Sequence, residues 1–247
     1  MKRLLLAATT AVLMLATGCS GSSPGPHTTA TGKAPVKITI FAASSLTNAF
    51  TAEATAFARQ TGDQTTFSFA GSQELVAQVQ QGAPADVVAT ADLTTMAKLP
   101  HGADAKVFAR NRLVIVTPRG NPKHVTGLAD LGRSGIVVVL AAPTVPAGKY
   151  AATALRAAGV TVHPKSLEDN VRGVLTKVQL GEADAGIVYA SDAKSAGSNV
   201  ATIAIPTSPI AAYPALATHP AGTAFVDFLL SAQGQAILAR YGFLPPQ

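Results

Sequence analysis

From Val36 to the end of the chain, short apolar runs alternate with amphipathic stretches, and this alternation restricts the fold more than any other feature. VKITIFA reads as a strand, and the next stretch sets Leu46, Phe50, Ala54, Phe57 and Ala58 on one helical face before Gly62 stops it. The same alternation recurs as TTFSFA (65–70), a helix over 72–82, ADVVAT (85–90) and the helical ADLTTMAKL. RLVIVTP (112–118) is a strong strand, residues 128–132 are a short turn or helix, and helices follow at 147–159 and 170–181. GIVVVLAAP (135–143) and AGIVYAS (185–191) are continuous apolar runs, as expected of strands covered on both faces. VATIAIP (200–206) is one more strand, and residues 222–243 carry the final helices. The pattern predicts an α/β fold built largely on parallel strands. It holds more strand–helix units than one sheet needs, and no Gly- or Pro-rich linker divides it. Two lobes are therefore expected, 36–112 with 203–247 and 113–202, joined by crossings near RLVIVTP and VATIAIP. In such folds a ligand sits at the carboxyl ends of the strands, here between the lobes.

The N-terminus has a different character. Lys2 and Arg3 precede an apolar run, 4–16, that is too short to span a bilayer, and Ala16-Thr17-Gly18-Cys19 closes it. This resembles the bacterial lipobox, with Leu15 one place earlier than the usual Leu. Residues 1–18 are then a leader, and Cys19, the sole cysteine, carries the lipid. Residues 20–35 are rich in Ser, Gly, Pro and Thr and read as a flexible tether. An exported protein, anchored by lipid to the outer face of a membrane, is the expectation.

With 48% hydrophobic residues the chain has ample material for a large core. Without Lys2 and Arg3 it has 17 basic and 13 acidic residues, a net charge of +4. The basic residues are scattered and not interleaved with aromatics, so no nucleic-acid footprint is visible. No nucleophile elbow, zinc-protease helix or phosphate loop occurs. His27, His101, His124, His163 and His219 show no metal-ligand spacing and read as solvated. Asp86 and Asp92 read as a turn and a cap. A binding protein is favoured over an enzyme.

The candidate site lies where strands hand over to helices. FAASSL offers Ser44 and Ser45, FAGSQEL offers Gly71 and Ser72, and AAPTVPAGKY offers Ala147 and Gly148. LEDNVRG offers the N–H of Val171, and AGIVYAS offers the phenol of Tyr189. Four of these are helix starts, with unpaired N–H groups and partial positive charge. Taken singly, Ser45 and Ser72 are equally well explained as helix caps. Taken together, the turns make a set of neutral donors, with no Lys or Arg at any tip. Such a set suits a fully deprotonated tetrahedral dianion, which has only acceptors. Glu168 and Asp169 stand one turn away and count against it.

FAASSLTNAF, FAGSQEL, GAPADVVATAD, VPAGKYA, EDNVRG, ADAGIVYASDA and the closing RYGF run in order through nearly all of 36–247. In these pieces the chain is similar to the substrate-binding proteins of bacterial molybdate ABC importers. The resemblance implies a two-lobe, type II periplasmic-binding fold closing around molybdate or tungstate, and no cofactor. It implies Ser45 and Ser72 as hydroxyl ligands, Ala147 and Val171 as backbone N–H ligands, and Tyr189 as a further hydroxyl ligand. It further implies a monomer delivering its ligand to the importer's transmembrane subunits. Ser44 stands where Ala is usual and competes with Ser45; Gln73 stands where another Ser is frequent. Sulfate and phosphate receptors share the architecture. A ferric site would want adjacent tyrosines, and Tyr150, Tyr189, Tyr213 and Tyr241 are dispersed in sequence.

Overall fold

Strands that read as apolar runs become the centre of a nine-stranded arrangement, in the order β2-β1-β3-β9-β4-β7-β5-β6 with β8 beside β4. It is seen in a computed structural model that describes residues 34–247, of which Pro35–Gln247 form a single unit. The leader, Cys19 and the tether as far as residue 33 lie outside the described residues. The first part runs β1 (Lys37–Ala43), α1 (Thr47–Thr61), β2 (Gln64–Ala70), α2 (Ser72–Gln80), β3 (Val87–Ala89) and α3 (Leu93–Met96). β4 (Lys106–Pro118) then leads to β5 (Val138–Ala141), α4 (Pro146–Ala157), β6 (Ser166–Glu168), α5 (Val171–Gln179), β7 (Ala185–Tyr189), α6 (Ala190–Ala196) and β8 (Val200–Ala204). β9 (Ile210–Ala217), α7 (Thr223–Leu230) and α8 (Ala232–Arg240) close the chain.

β4 is the spine. Its first part, Lys106–Arg112, pairs antiparallel with β9, and its second part, Leu113–Pro118, pairs antiparallel with β7 and β8. The strand therefore passes from a sheet that contains β1, β2 and β3 into one that contains β5, β6 and β7. β1 is parallel to β2 and β3, and β5 is parallel to β6 and β7, so the parallel strands form two sets joined through antiparallel ones. β8 pairs only with the second part of β4, and the return to the first sheet runs through 205–209 into β9.

The structure differs from the expectation in three strands. β4 begins at Lys106, six residues early, because KVFARN already pairs with β9. β6 is only three residues long, below what periodicity resolves. β9 carries Pro214 and follows Pro209, both of which read as breakers. Pro214 sits opposite Val107 beside a register shift, where the missing N–H is tolerated, and its carbonyl accepts from Thr90 N–H at 3.1 Å.

The first sheet is covered by α1, α7 and α8 over a phenylalanine cluster. Phe50 meets Phe108 and Phe225 at 5.6 Å, and Phe57 meets Phe225 edge-on at 5.4 Å. The buried face of α1 contains Ala49, Phe50, Glu53 and Phe57, so it is rotated toward Glu53 and away from Ala54. Glu53 is wholly buried, and neither carboxyl oxygen has a hydrogen-bond partner. Burial pushes its pKa up to about 9, with the charge of Arg240 opposing only in part. A carboxyl that holds its proton more tightly when folded loses stability as pH rises from 4.5 toward about 9. Replacing Glu53 with Met, of similar volume and without charge, should stabilise the protein by roughly 2–3 kcal/mol at pH 7. Denaturant unfolding between pH 5 and 9 checks it: the parent curve falls with pH, and the Glu53→Met curve loses that slope.

Candidate functional site

Four helices and a strand end bring the predicted residues together. Ser45 lies in the 3-10 turn that opens α1, Ser72 is the first residue of α2, Ala147 the second of α4, and Val171 the first of α5. Tyr189 ends β7 where α6 begins. All five line one very small cavity of about 10 Å³. Ser44 and Asn170 line it too, and no residue in its wall carries a charge. N–H groups in the first turn of a helix have no intrahelical carbonyl, and the aligned dipoles add positive potential there. The cavity is thus walled by donors aimed from several directions.

Each element is held in place by identifiable contacts. Gly148 lets α4 start against the end of β5; a Cβ there would lie 2.1 Å from the Ala142 carbonyl oxygen. Asn170 caps α5, its side chain accepting from Gly173 N–H at 3.1 Å. Neither Ser45 nor Ser72 is a helix cap: the cap positions before their helices are Ala43, Leu46 and Gly71, without side-chain cap bonds. The Ser72 hydroxyl oxygen instead accepts from Ala91 N–H at 3.1 Å. The Ser45 hydroxyl lies 3.0 Å from that of Tyr213, which the sequence shows only as one of four dispersed tyrosines. Tyr189 and Tyr213, far apart in sequence, meet edge-on at 5.6 Å. The Tyr189 hydroxyl is buried and makes no well-formed hydrogen bond in the protein, its interaction with the Tyr213 hydroxyl being a loose one. Burial raises the pKa of both phenols well above the ordinary value, so both stay protonated.

The carboxylates nearby are turned to other partners. Glu168 pairs with Lys177 at 2.7 Å and does not line the cavity, and Asp169 offers its backbone carbonyl to Gln73. Asp192, wholly buried behind Tyr189, accepts from Tyr189 N–H and stands 3.0 Å from Arg172. Burial pushes its pKa up to about 6 against the pull of Arg172. Asp92 caps α3 as expected, accepting from Thr95 N–H at 2.6 Å. Asp86 accepts from Thr39 N–H at 2.8 Å, and the neighbouring His219 ring lies 3.0 Å from the Ala85 carbonyl oxygen.

Three polar contacts ring the cavity and bind the two halves of the molecule. Gln73 donates its amide to the Asp169 carbonyl at 2.8 Å, and Arg172 donates to Asn48 at 2.5 Å. Lys149 donates to Asp92 at 2.8 Å and to Thr95 at 3.0 Å. Each contact comes from a turn that also lines the cavity or lies within two residues of its lining, so the contacts between the halves sit at the cavity's edge. Larger grooves exist, one of about 450 Å³ between Leu99 and Val226 and one of about 760 Å³ beside Arg112, but no set of helix starts converges on either.

Gly71 is a point of close approach between the halves, since a Cβ there would lie 2.5 Å from both the Asp169 carbonyl oxygen and the Gln73 amide nitrogen. Gly71→Ala should hold the halves apart and weaken binding of an anion at least tenfold, with little change in unfolding temperature. Small-angle scattering with saturating ligand checks the cause: the variant should keep a larger radius of gyration than the bound parent.

Comparisons with known proteins show the family. The profile of the bacterial extracellular solute-binding protein family matches residues 38–244. The molybdate-binding protein ModA of Mycobacterium tuberculosis (strain ATCC 25618 / H37Rv) is 38% identical over 241 residues, covering 92% of each chain. ModA of Escherichia coli (strain K12) is 37% identical over 227 residues, covering 84% of this chain and 88% of its own. Among solved structures, the sulfate-binding protein SubI of Mycobacterium tuberculosis H37Rv superposes with a TM-score of 0.78 at 25% identity, over 85% of this chain and 87% of its own. The chain belongs to the bacterial extracellular solute-binding protein family and shares its two-lobe α/β fold.

Proposed function

We propose that this protein captures molybdate, and tungstate with it, outside the cytoplasm and delivers it to an ABC importer. The carrying observation is the uncharged cavity lined by Ser45, Ser72, Ala147, Val171 and Tyr189, with the Tyr189 hydroxyl buried and short of a well-formed protein hydrogen bond. The Ser45, Ser72 and Tyr189 hydroxyls and the N–H groups of Ala147 and Val171 hold the oxygens. A fully deprotonated tetrahedral dianion accepts from all of them and asks for no acceptor in return. The two ModA sequences, at 38% and 37% identity, support molybdate as the ligand. The likeness to SubI supports sulfate as the second reading. Capture is binding without covalent chemistry, and closure of the lobes shifts a population between open and closed forms.

The lobes divide where β4 changes partners, at Arg112 and Leu113, and again in the return to β9. Ser45 and Ser72 belong to the first lobe; Ala147, Val171 and Tyr189 belong to the second. The protein acts as a monomer, held to the outer face of the membrane through a lipid on Cys19, and its outer rims meet the importer's transmembrane subunits. No described helix is long and apolar enough to cross a membrane.

Calorimetric titration of residues 35–247 with molybdate, tungstate, sulfate and phosphate tests the reading. One-to-one binding of the first two with sulfate silent is the expected result. A response to sulfate or phosphate alone discards molybdate, and silence toward all four discards the anion site. Charge-assisted hydrogen bonds contribute about 1.5–3 kcal/mol each, so Ser45→Ala with Ser72→Ala should weaken molybdate binding about a hundredfold or more. Circular dichroism of that double variant should match the parent.

A further inference from the structure

A serine hydroxyl has one proton and two lone pairs, so it meets a ligand either as donor or as acceptor. A cavity selective for a ligand without protons needs its serines committed as donors. Ser72 is committed by the backbone: Ala91 N–H occupies a lone pair of its oxygen and leaves the proton for another acceptor. Ser45 has no such N–H. Its hydroxyl instead faces Tyr213 at 3.0 Å, and both residues are buried. Asn111 and Tyr189 also reach the Tyr213 hydroxyl, and the Ser45–Tyr213 pair itself has two possible arrangements. If Ser45 donated to Tyr213, its only proton would point behind the wall and a lone pair would face the anion. If Tyr213 donates, the Ser45 proton is free to enter the cavity.

We propose that Tyr213 is a positioning residue, donating its hydroxyl proton to Ser45 and so fixing Ser45 as a donor to the bound oxyanion. This rests on the functional reading above. Tyr213 lies on β9 and reaches Ser45 across 168 residues of sequence. Its ring is clamped edge-on by Phe243 at 5.3 Å, Tyr189 at 5.6 Å and Phe108 at 6.4 Å. The hydroxyl therefore has a fixed origin, and burial keeps its proton in place. The pair also bears on selectivity. A ligand that still carries a proton, such as phosphate at pH 6, meets only donors at Ser45 and is disfavoured. Without Tyr213's proton, Ser45 can turn and accept from that ligand.

Tyr213→Phe removes the hydroxyl and keeps the clamped ring. The parent, Tyr213→Phe, Ser45→Ala and the double variant are titrated with molybdate, with thermal unfolding as the control for folding. Tyr213→Phe should bind about tenfold more weakly, and the double variant should bind within about twofold of Ser45→Ala, because Tyr213 acts through Ser45. At pH 6 the ratio of molybdate to phosphate affinity should fall in Tyr213→Phe. A purely structural role would lower both affinities alike and persist in the Ser45→Ala background. Either that pattern or parent-like binding by Tyr213→Phe overturns the inference while the parent still binds molybdate. A parent silent toward every anion overturns the functional reading itself and this inference with it.

Discussion

Backbone N–H groups at the start of a helix have no carbonyl to bond, and the rest of this structure is arranged around that fact. Four helices bring such starts to one cavity, and the lining includes no lysine, arginine or acid. The positive potential is therefore supplied by the backbone, rigidly, with no flexible side chain to order. The nearby acids are neutralised or turned away: Glu168 by Lys177, Asp192 by burial and Arg172, Asp92 by Lys149. A charge-free wall of donors in low dielectric gives strong charge-assisted bonds to an anion and little to a neutral solute.

Closure follows from the same turns. Gln73, Lys149 and Arg172 are each within two residues of a cavity-lining position, and each reaches the opposite half. The halves therefore meet through direct contacts between side chains and backbone. Gln73 bonds to a backbone carbonyl, which every residue at 169 would supply. The Gly71 approach works in the opposite sense, since it depends on a missing Cβ.

Much of this was legible in the sequence. The strand–helix alternation gave the class, the strand-end turns gave the candidate positions, and the family resemblance singled out Ser45, Ser72, Ala147, Val171 and Tyr189, which share one cavity. What the sequence concealed had physical causes. β9 was hidden by its prolines, although Pro214 stands beside a bulge where it breaks no ladder bond. With β9 hidden, Tyr213 had no place, and its approach to Ser45 and Tyr189 could not be foreseen from four dispersed tyrosines. Glu53 broke the apolar pattern of α1, and only the fold shows a buried carboxyl there instead of a solvated one. The contacts of Gln73 and Arg172 depend on how two lobes meet, which local patterns do not encode.

The position of β9 also sets an order of events. It is formed by residues 210–217, yet it lies between β3 and β4, whose own sequences are complete by residue 118. Until the last part of the chain arrives, those two strands have no partner between them, and the phenylalanine cluster lacks Phe225. The first lobe is therefore the last to be finished, by contacts between segments more than a hundred residues apart, a topology that folds slowly. The half that begins at the N-terminus stays open until its far end has been made.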